Sequence, residues 1–125
     1  MNLEKVVFGF FILLAASLNF SFVYGDVATP ILHDEWELFA AVVVNLVAAV
    51  LKFGDRTHIG AVHLSSSLVA LLLLAAATIV WVAAGEGETL TPQTTARVVS
   101  LAAGALLANV VSVVIMVVET TMQRR

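Results

Sequence analysis

Asn45 and Asn109 are carboxamides set within long apolar runs, and a carboxamide in hydrocarbon has two uses. It can bond a neighbouring helix, or its carbonyl oxygen can replace part of the water shell of a cation. Left unpaired it costs several kcal/mol, so both side chains must turn toward protein or water. Ser112 lies one turn from Asn109 on the same face, and Asn19 adds an amide toward the far end of the first apolar run. The four residues are candidates for a polar constriction or ion-coordinating ring, with interhelical bonding as the plainer reading.

A second group is ionisable. His63 and Glu119 fall near one membrane interface, with Lys52 and Arg56 close in depth. The plainer reading is an interfacial salt-bridge cluster with Lys52 extended toward water. The sharper one is a proton-sensitive inner mouth, because imidazole titrates in the physiological range. Asp34, Glu35 and Glu37, with Glu86 and Glu88, make an acidic rim on the opposite side. Acids are ordinary at helix starts, but such a rim would also raise the local concentration of cations.

Several chemistries are excluded or disfavoured. The chain has no cysteine, which removes disulfides, thiolate metal sites and cysteine nucleophiles. His58 and His63 lie on different faces of one helix, and His33 falls across the membrane, so no metal or haem site is expected and no cofactor is implied. No nucleotide, hydrolase or nucleic-acid motif occurs, nor a potassium-filter sequence of the TVGYG type. The expectation is a protein that is not an enzyme and has no nucleic-acid partner.

The elements that must hold these residues follow from composition. With 61% hydrophobic and 12% charged residues in a chain of 125, the protein is far more apolar than a soluble domain, where about half and a quarter are usual. Four apolar runs approach or exceed the roughly 20 residues that cross hydrocarbon. The spacing predicts helices over about 3–24, 35–53, 57–84 and 92–122 in a single transmembrane domain, 1–125. The second run is the shortest and reaches spanning length only with Trp36 and Phe53 at the two interfaces. The first could pass for a signal peptide ending near Tyr24 and Gly25, but its apolar part is longer than an h-region of about 7 to 15 residues, so it is expected to stay as a span.

Local signals mark the ends. Asp34 with Glu37 reads as a capping box, Gly54 as a helix stop, Asp55 or Thr57 as the next cap, and Thr91-Pro92 as the last start. Ala41, Asn45, Ala48 and Lys52 share one helical face; Ala102, Ala105, Asn109, Ser112 and Glu119 share another. This repeated pattern of small residues with one amide suggests a loose two-plus-two internal repeat. The last helix, roughly 45 Å long at its helical rise, must tilt or project.

Lys5, Lys52, Arg56, Arg124 and Arg125 fall on one side and only Arg97 on the other. Basic loops stay in the cytoplasm, so the expected fold is an all-α polytopic membrane protein. Its four transmembrane helices form two antiparallel hairpins, with both termini cytoplasmic.

The run ELFAAVVVNLVAAVLKFGDRTHIGA, with the opening FGFFILLAASLNF, resembles a family of small four-helix bacterial inner-membrane proteins, largely uncharacterised and sometimes labelled ion-channel-like. The resemblance covers most of the chain and implies the four-span fold and that location. It carries over no catalytic or binding residue. Small multidrug-resistance transporters fit poorly, since the first helix has no acid between Glu4 and Asp26. Dual-topology fluoride channels also fit poorly, given the one-sided Lys and Arg.

The reading that results is a homo-oligomer in the lipid bilayer that forms or supports a pathway for monovalent cations, potassium among them. Because one short chain leaves little room for a pore, the pathway is expected along a symmetry axis. The rivals are an accessory or scaffold subunit of a larger membrane partner, and a proton-coupled small-molecule exporter.

Overall fold

The computed structural model describes residues 3–25, 33–55, 57–84 and 91–123, the side chain of Gln123 excepted. Four helices follow in chain order: α1 Leu3–Val23, α2 Glu35–Lys52, α3 His58–Ala83 and α4 Pro92–Gln123. Their ends have local causes. Asp34 caps α2, its carboxylate accepting from the Trp36 amide at 2.9 Å. Gly54, at φ +92°, takes the left-handed turn that lets the chain leave α2. Thr57 caps α3 by accepting from Gly60 N at 2.9 Å, and Thr91 accepts from Thr94 N at the start of α4, where Pro92 loses no bond.

α1 packs on α2 and α4, and α3 packs on α2 and α4, so the helices stand in chain order around a four-cornered bundle. Its larger buried cluster joins Phe22, Leu38, Leu74, Trp81, Val98 and Val99 with the small Ala41, Ala70, Ala77, Ala102 and Ala105. A smaller one joins Phe8, Ile12 and Ala48. Alanines at the contacts let the backbones approach, as in helix packing within lipid.

The outside is largely apolar too. Phe10, Leu13, Phe20, Leu46, Leu72, Ile79, Leu107 and Val114 are all exposed. An exposed apolar surface of this extent marks contact with lipid or with protein partners. Tyr24, Trp36 and Phe53, 71%, 71% and 79% exposed, lie at helix ends, where aromatic rings favour a membrane interface.

Three helices are long and apolar enough to cross a membrane: α1, α3 and α4, with mean hydropathies of 2.3, 2.3 and 2.5. The expectation of four such helices is met only in part. α2 has 18 residues and carries Glu35, Glu37 and Lys52 within them, which leaves its apolar centre short.

Candidate functional site

The bundle has a basic end, where Lys5 begins α1 and Lys52 closes α2, and an acidic end, where Asp34, Glu35 and Glu37 open α2. Between them every helix turns a fully buried polar side chain inward: Asn19 on α1, Asn45 on α2, Ser67 on α3, and Asn109 and Ser112 on α4. Burial follows from phase, because each amide shares a face with the alanines that make the helix contacts.

These amides are used unequally. In the orientation that satisfies both its ends, Asn19 donates to Ala102 O at 2.9 Å and accepts from Leu106 N at 3.1 Å and from Asn109 Nδ2 at 3.1 Å. It thereby ties α1 to the backbone of α4. Among the described residues Asn45 bonds no other helix: its Nδ2 donates to Ala41 O of its own helix at 2.9 Å. Among the described residues no donor reaches Asn45 Oδ1, Asn109 Oδ1 or Ser67 Oγ. The nitrogen ends of Asn45 and Asn109 are anchored while their oxygen ends face the interior unpaired.

At the basic end, Lys5 Nζ lies 3.5 Å from Glu119 Oε1, and Lys52 Nζ lies 3.6 Å from Asp55 Oδ2 and 4.4 Å from the centre of the Phe8 ring. Phe8 also meets the ring of His63 edge-on at 4.9 Å. His63 is buried, with Nδ1 3.2 Å from Ser112 Oγ. A pocket of about 190 Å³ reaches this histidine between Lys5, Phe8, Lys52, Met116 and Glu119. A wider opening of about 410 Å³ shares Lys5, Lys52 and Glu119 with it and adds Asp55, Thr57 and Gly60. The structure thus brings His63, Glu119 and Lys52 together; Arg56 lies outside the described residues.

Asp55 anchors the turn below this pocket. Its Oδ1 accepts from Thr57 Oγ1 at 2.7 Å and from Thr57 N at 2.9 Å. Those two bonds, with the nearby Lys52 ammonium, hold its carboxyl below the ordinary value of 3.8.

The acids of the other end are engaged with neighbours. Asp34 is the cap of α2, Glu35 Oε2 accepts from Trp81 Nε1 at 3.2 Å, and Glu37 accepts from the Ser21 hydroxyl. Each has a structural use beside any attraction of cations. Glu86 and Glu88 lie outside the described residues. His33 is buried, its Nδ1 2.6 Å from Phe22 O.

Sequence reasoning passed over Ser67 and Lys5. Ser67 stands one turn from His63 on the same face, a spacing that was available as a signal. Lys5 becomes part of the site only because the start of α1 meets the end of α4. Among the described residues no group of three or more His, Asp or Glu side chains is placed to hold a metal ion.

Fold and site together define a small all-α bundle with an apolar exterior, three helices able to cross a membrane, and hydrophilic groups turned inward. The chain belongs to a family of unknown function, DUF6394, whose model matches residues 32–120. That stretch contains the interior Asn45, Ser67, Asn109 and Ser112, and leaves Lys5, Phe8 and Asn19 outside it. No curated protein and no solved structure matches the chain.

Proposed function

We propose that this chain is a four-span integral protein of a bacterial inner membrane that forms or supports a pathway for monovalent cations. α2 serves as the fourth span: its 18 residues reach about 27 Å, and the exposed rings of Trp36 and Phe53 extend it at both interfaces. The helices form two antiparallel hairpins. This is supported by the bonds from the end of α1 to the start of α2, and from the start of α1 to the end of α4. The basic end faces the cytoplasm, since Lys and Arg gather there.

The observation that carries the reading is the unequal use of the amides. Asn45 Oδ1, Asn109 Oδ1 and Ser67 Oγ are oxygens in an apolar bundle whose neighbours supply them no hydrogen, so whatever meets them must bring positive charge or a proton. No carboxylate is among the buried polar groups of the described residues, and neutral carbonyl oxygens without a carboxylate are the ligands that replace the water shell of a monovalent cation. Because these groups face the inside of one subunit, the pathway runs through the four-helix unit and not along an axis between copies. Copies in a homo-oligomer, or a larger membrane partner, would meet the apolar exterior.

An accessory subunit is the second reading, favoured by the engagement of Asn19, Glu35 and Glu37 in holding the bundle together. A proton-coupled exporter has less support, since Glu119, the acid in the wall of the pocket that reaches His63, is paired with Lys5.

Potassium flux from purified protein in liposomes tests the proposal. The wild type conducts, and Asn45→Leu abolishes flux while leaving assembly intact, because Asn45 bonds only its own helix. Absence of flux from the correctly assembled wild type overturns it.

A further inference from the structure

The buried polar groups of this bundle divide by height. At the acidic end Thr95 Oγ1 donates to Thr91 O at 2.9 Å, His33 meets Phe22 O and Trp81 meets Glu35, while at mid-height Asn19 bonds the α4 backbone and Asn109 Nδ2. The three unpaired oxygens all lie nearer the basic end. Ser67 stands one turn beyond His63 on α3, and Asn109 one turn beyond Ser112 on α4, so the contact between His63 and Ser112 sets Ser67 and Asn109 at matching heights. Asn45 lies two turns above Lys52 on the adjoining helix. His63 in turn forms part of the wall of the pocket that opens at the basic end.

Above these oxygens the character changes. Phe22, Leu38, Leu74, Trp81, Val98 and Val99 close the interior in one contiguous apolar cluster. Among the described residues the three unpaired buried oxygens stand at the edge of that cluster that faces the pocket, one turn beyond Ala41, Ala70 and Ala105, and native interiors leave few polar atoms unmet. The oxygens also match one chemistry. Two amide carbonyls can only accept and a hydroxyl can donate as well as accept, and a water molecule, which donates two hydrogens and can also accept, meets all three.

We infer that the basic-end half of the bundle is a water-accessible crevice. It runs from the Lys5–Lys52–Glu119 pocket past His63 to a hydration site at Asn45, Ser67 and Asn109, and the apolar plug seals it from the acidic end. The inference rests on the membrane-spanning arrangement proposed above and gives that pathway its entrance: a cation would keep part of its water shell as far as Asn45 and Asn109. Movement of the Phe22–Trp81 cluster would then be the step that admits it further.

The absence of native cysteine makes the test clean. Ser67→Cys, Asn45→Cys, Ala77→Cys and Thr120→Cys are placed singly in the full chain. Each is exposed in sealed vesicles, from each face in turn, to a membrane-impermeant methanethiosulfonate. Thr120→Cys marks the mouth and Ala77→Cys the plug. From the basic face, Ser67→Cys and Asn45→Cys react at least about tenfold faster than Ala77→Cys, because a thiol must ionise in water to react; from the acidic face they do not react. The inference is overturned if variants that elute like the wild type react at Thr120→Cys but no faster at Ser67→Cys and Asn45→Cys than at Ala77→Cys. It is equally overturned if both react from the acidic face. The outcome is separable from that of the flux assay: labelling without flux keeps the crevice and removes the pathway, and flux without labelling does the reverse.

Discussion

Asn109 on α4 donates its side-chain amide to Asn19 Oδ1 on α1 across 3.1 Å, and that same oxygen also accepts from Leu106 N. With Asn19 Nδ2 on Ala102 O, one side chain engages both backbone atoms that an α-helical bond joins. The amides at this height therefore serve cohesion between two helices that are far apart in sequence. Asn45, by contrast, bonds only its own helix among the described residues.

That contrast orders two substitutions. Asn19→Leu leaves Asn109 Nδ2 without its partner and removes two further bonds to the α4 backbone, and it should destabilise the bundle by about 2 kcal/mol, near the upper range for bonds between membrane helices. Asn45→Leu removes one bond within a helix and should cost less than about 1 kcal/mol. Unfolding in bicelles, followed by steric trapping, measures both; equal losses would remove the distinction between glue and lining.

Ser67→Ala separates a wet interior from a dry one. In a dry bundle the unpaired hydroxyl is a burden, and its removal should stabilise by about 1 kcal/mol or more. If water reaches Ser67, the hydroxyl is already satisfied, and stability should change by less than about 0.5 kcal/mol. The second outcome is expected, read by the same unfolding assay; a clear gain in stability would contradict the crevice.

Much of this was legible because so apolar a chain leaves its few hydrophilic groups little choice of surroundings. Asp34, Thr57 and Pro92 mark helix starts through local chemistry alone, and no tertiary knowledge is needed to see it. That Asn45 and Asn109 turn inward follows from the cost of an amide in acyl chains. What they face does not, and an axis between copies and the inside of one bundle satisfy that cost equally. Ser67 was hidden among Ser65 and Ser66, because which serine of a consecutive run is buried depends on a helical phase fixed only by packing. That Glu35 and Glu37 are tied to Trp81 and Ser21 was not legible, since those partners sit on other helices.

The pair Lys5–Glu119 should matter little by itself. At 3.5 Å, with the two side chains 44% and 21% exposed, it is an ion pair in contact with water, worth less than about 1 kcal/mol. Lys5→Glu places two carboxylates together and should lower the Tm measurably at low salt and less at high salt. The double exchange with Glu119→Lys should recover the loss, and failure to recover it would mean that Lys5 has another partner.

Asp55 gives the fold a predictable dependence on pH. The Thr57 hydroxyl first, then the Thr57 amide and the Lys52 charge, hold its folded-state value below 3.8. A carboxyl lowered on folding stabilises the protein wherever it is ionised in both states, and that contribution disappears as pH falls through the lowered value. The stability difference between the wild type and Asp55→Asn should therefore be complete at neutral pH and shrink once pH drops below 3.8. It should vanish when Asp55 is protonated in the folded state as well. Gly60→Ala reports on the same contact, because a Cβ at Gly60 would land on the Asp55 carboxyl and push it from Thr57. In that variant the acid-dependent part of the difference should flatten. Equilibrium unfolding across the acid range decides the matter, and a difference that stays constant would show that the turn does not depend on the charge of Asp55.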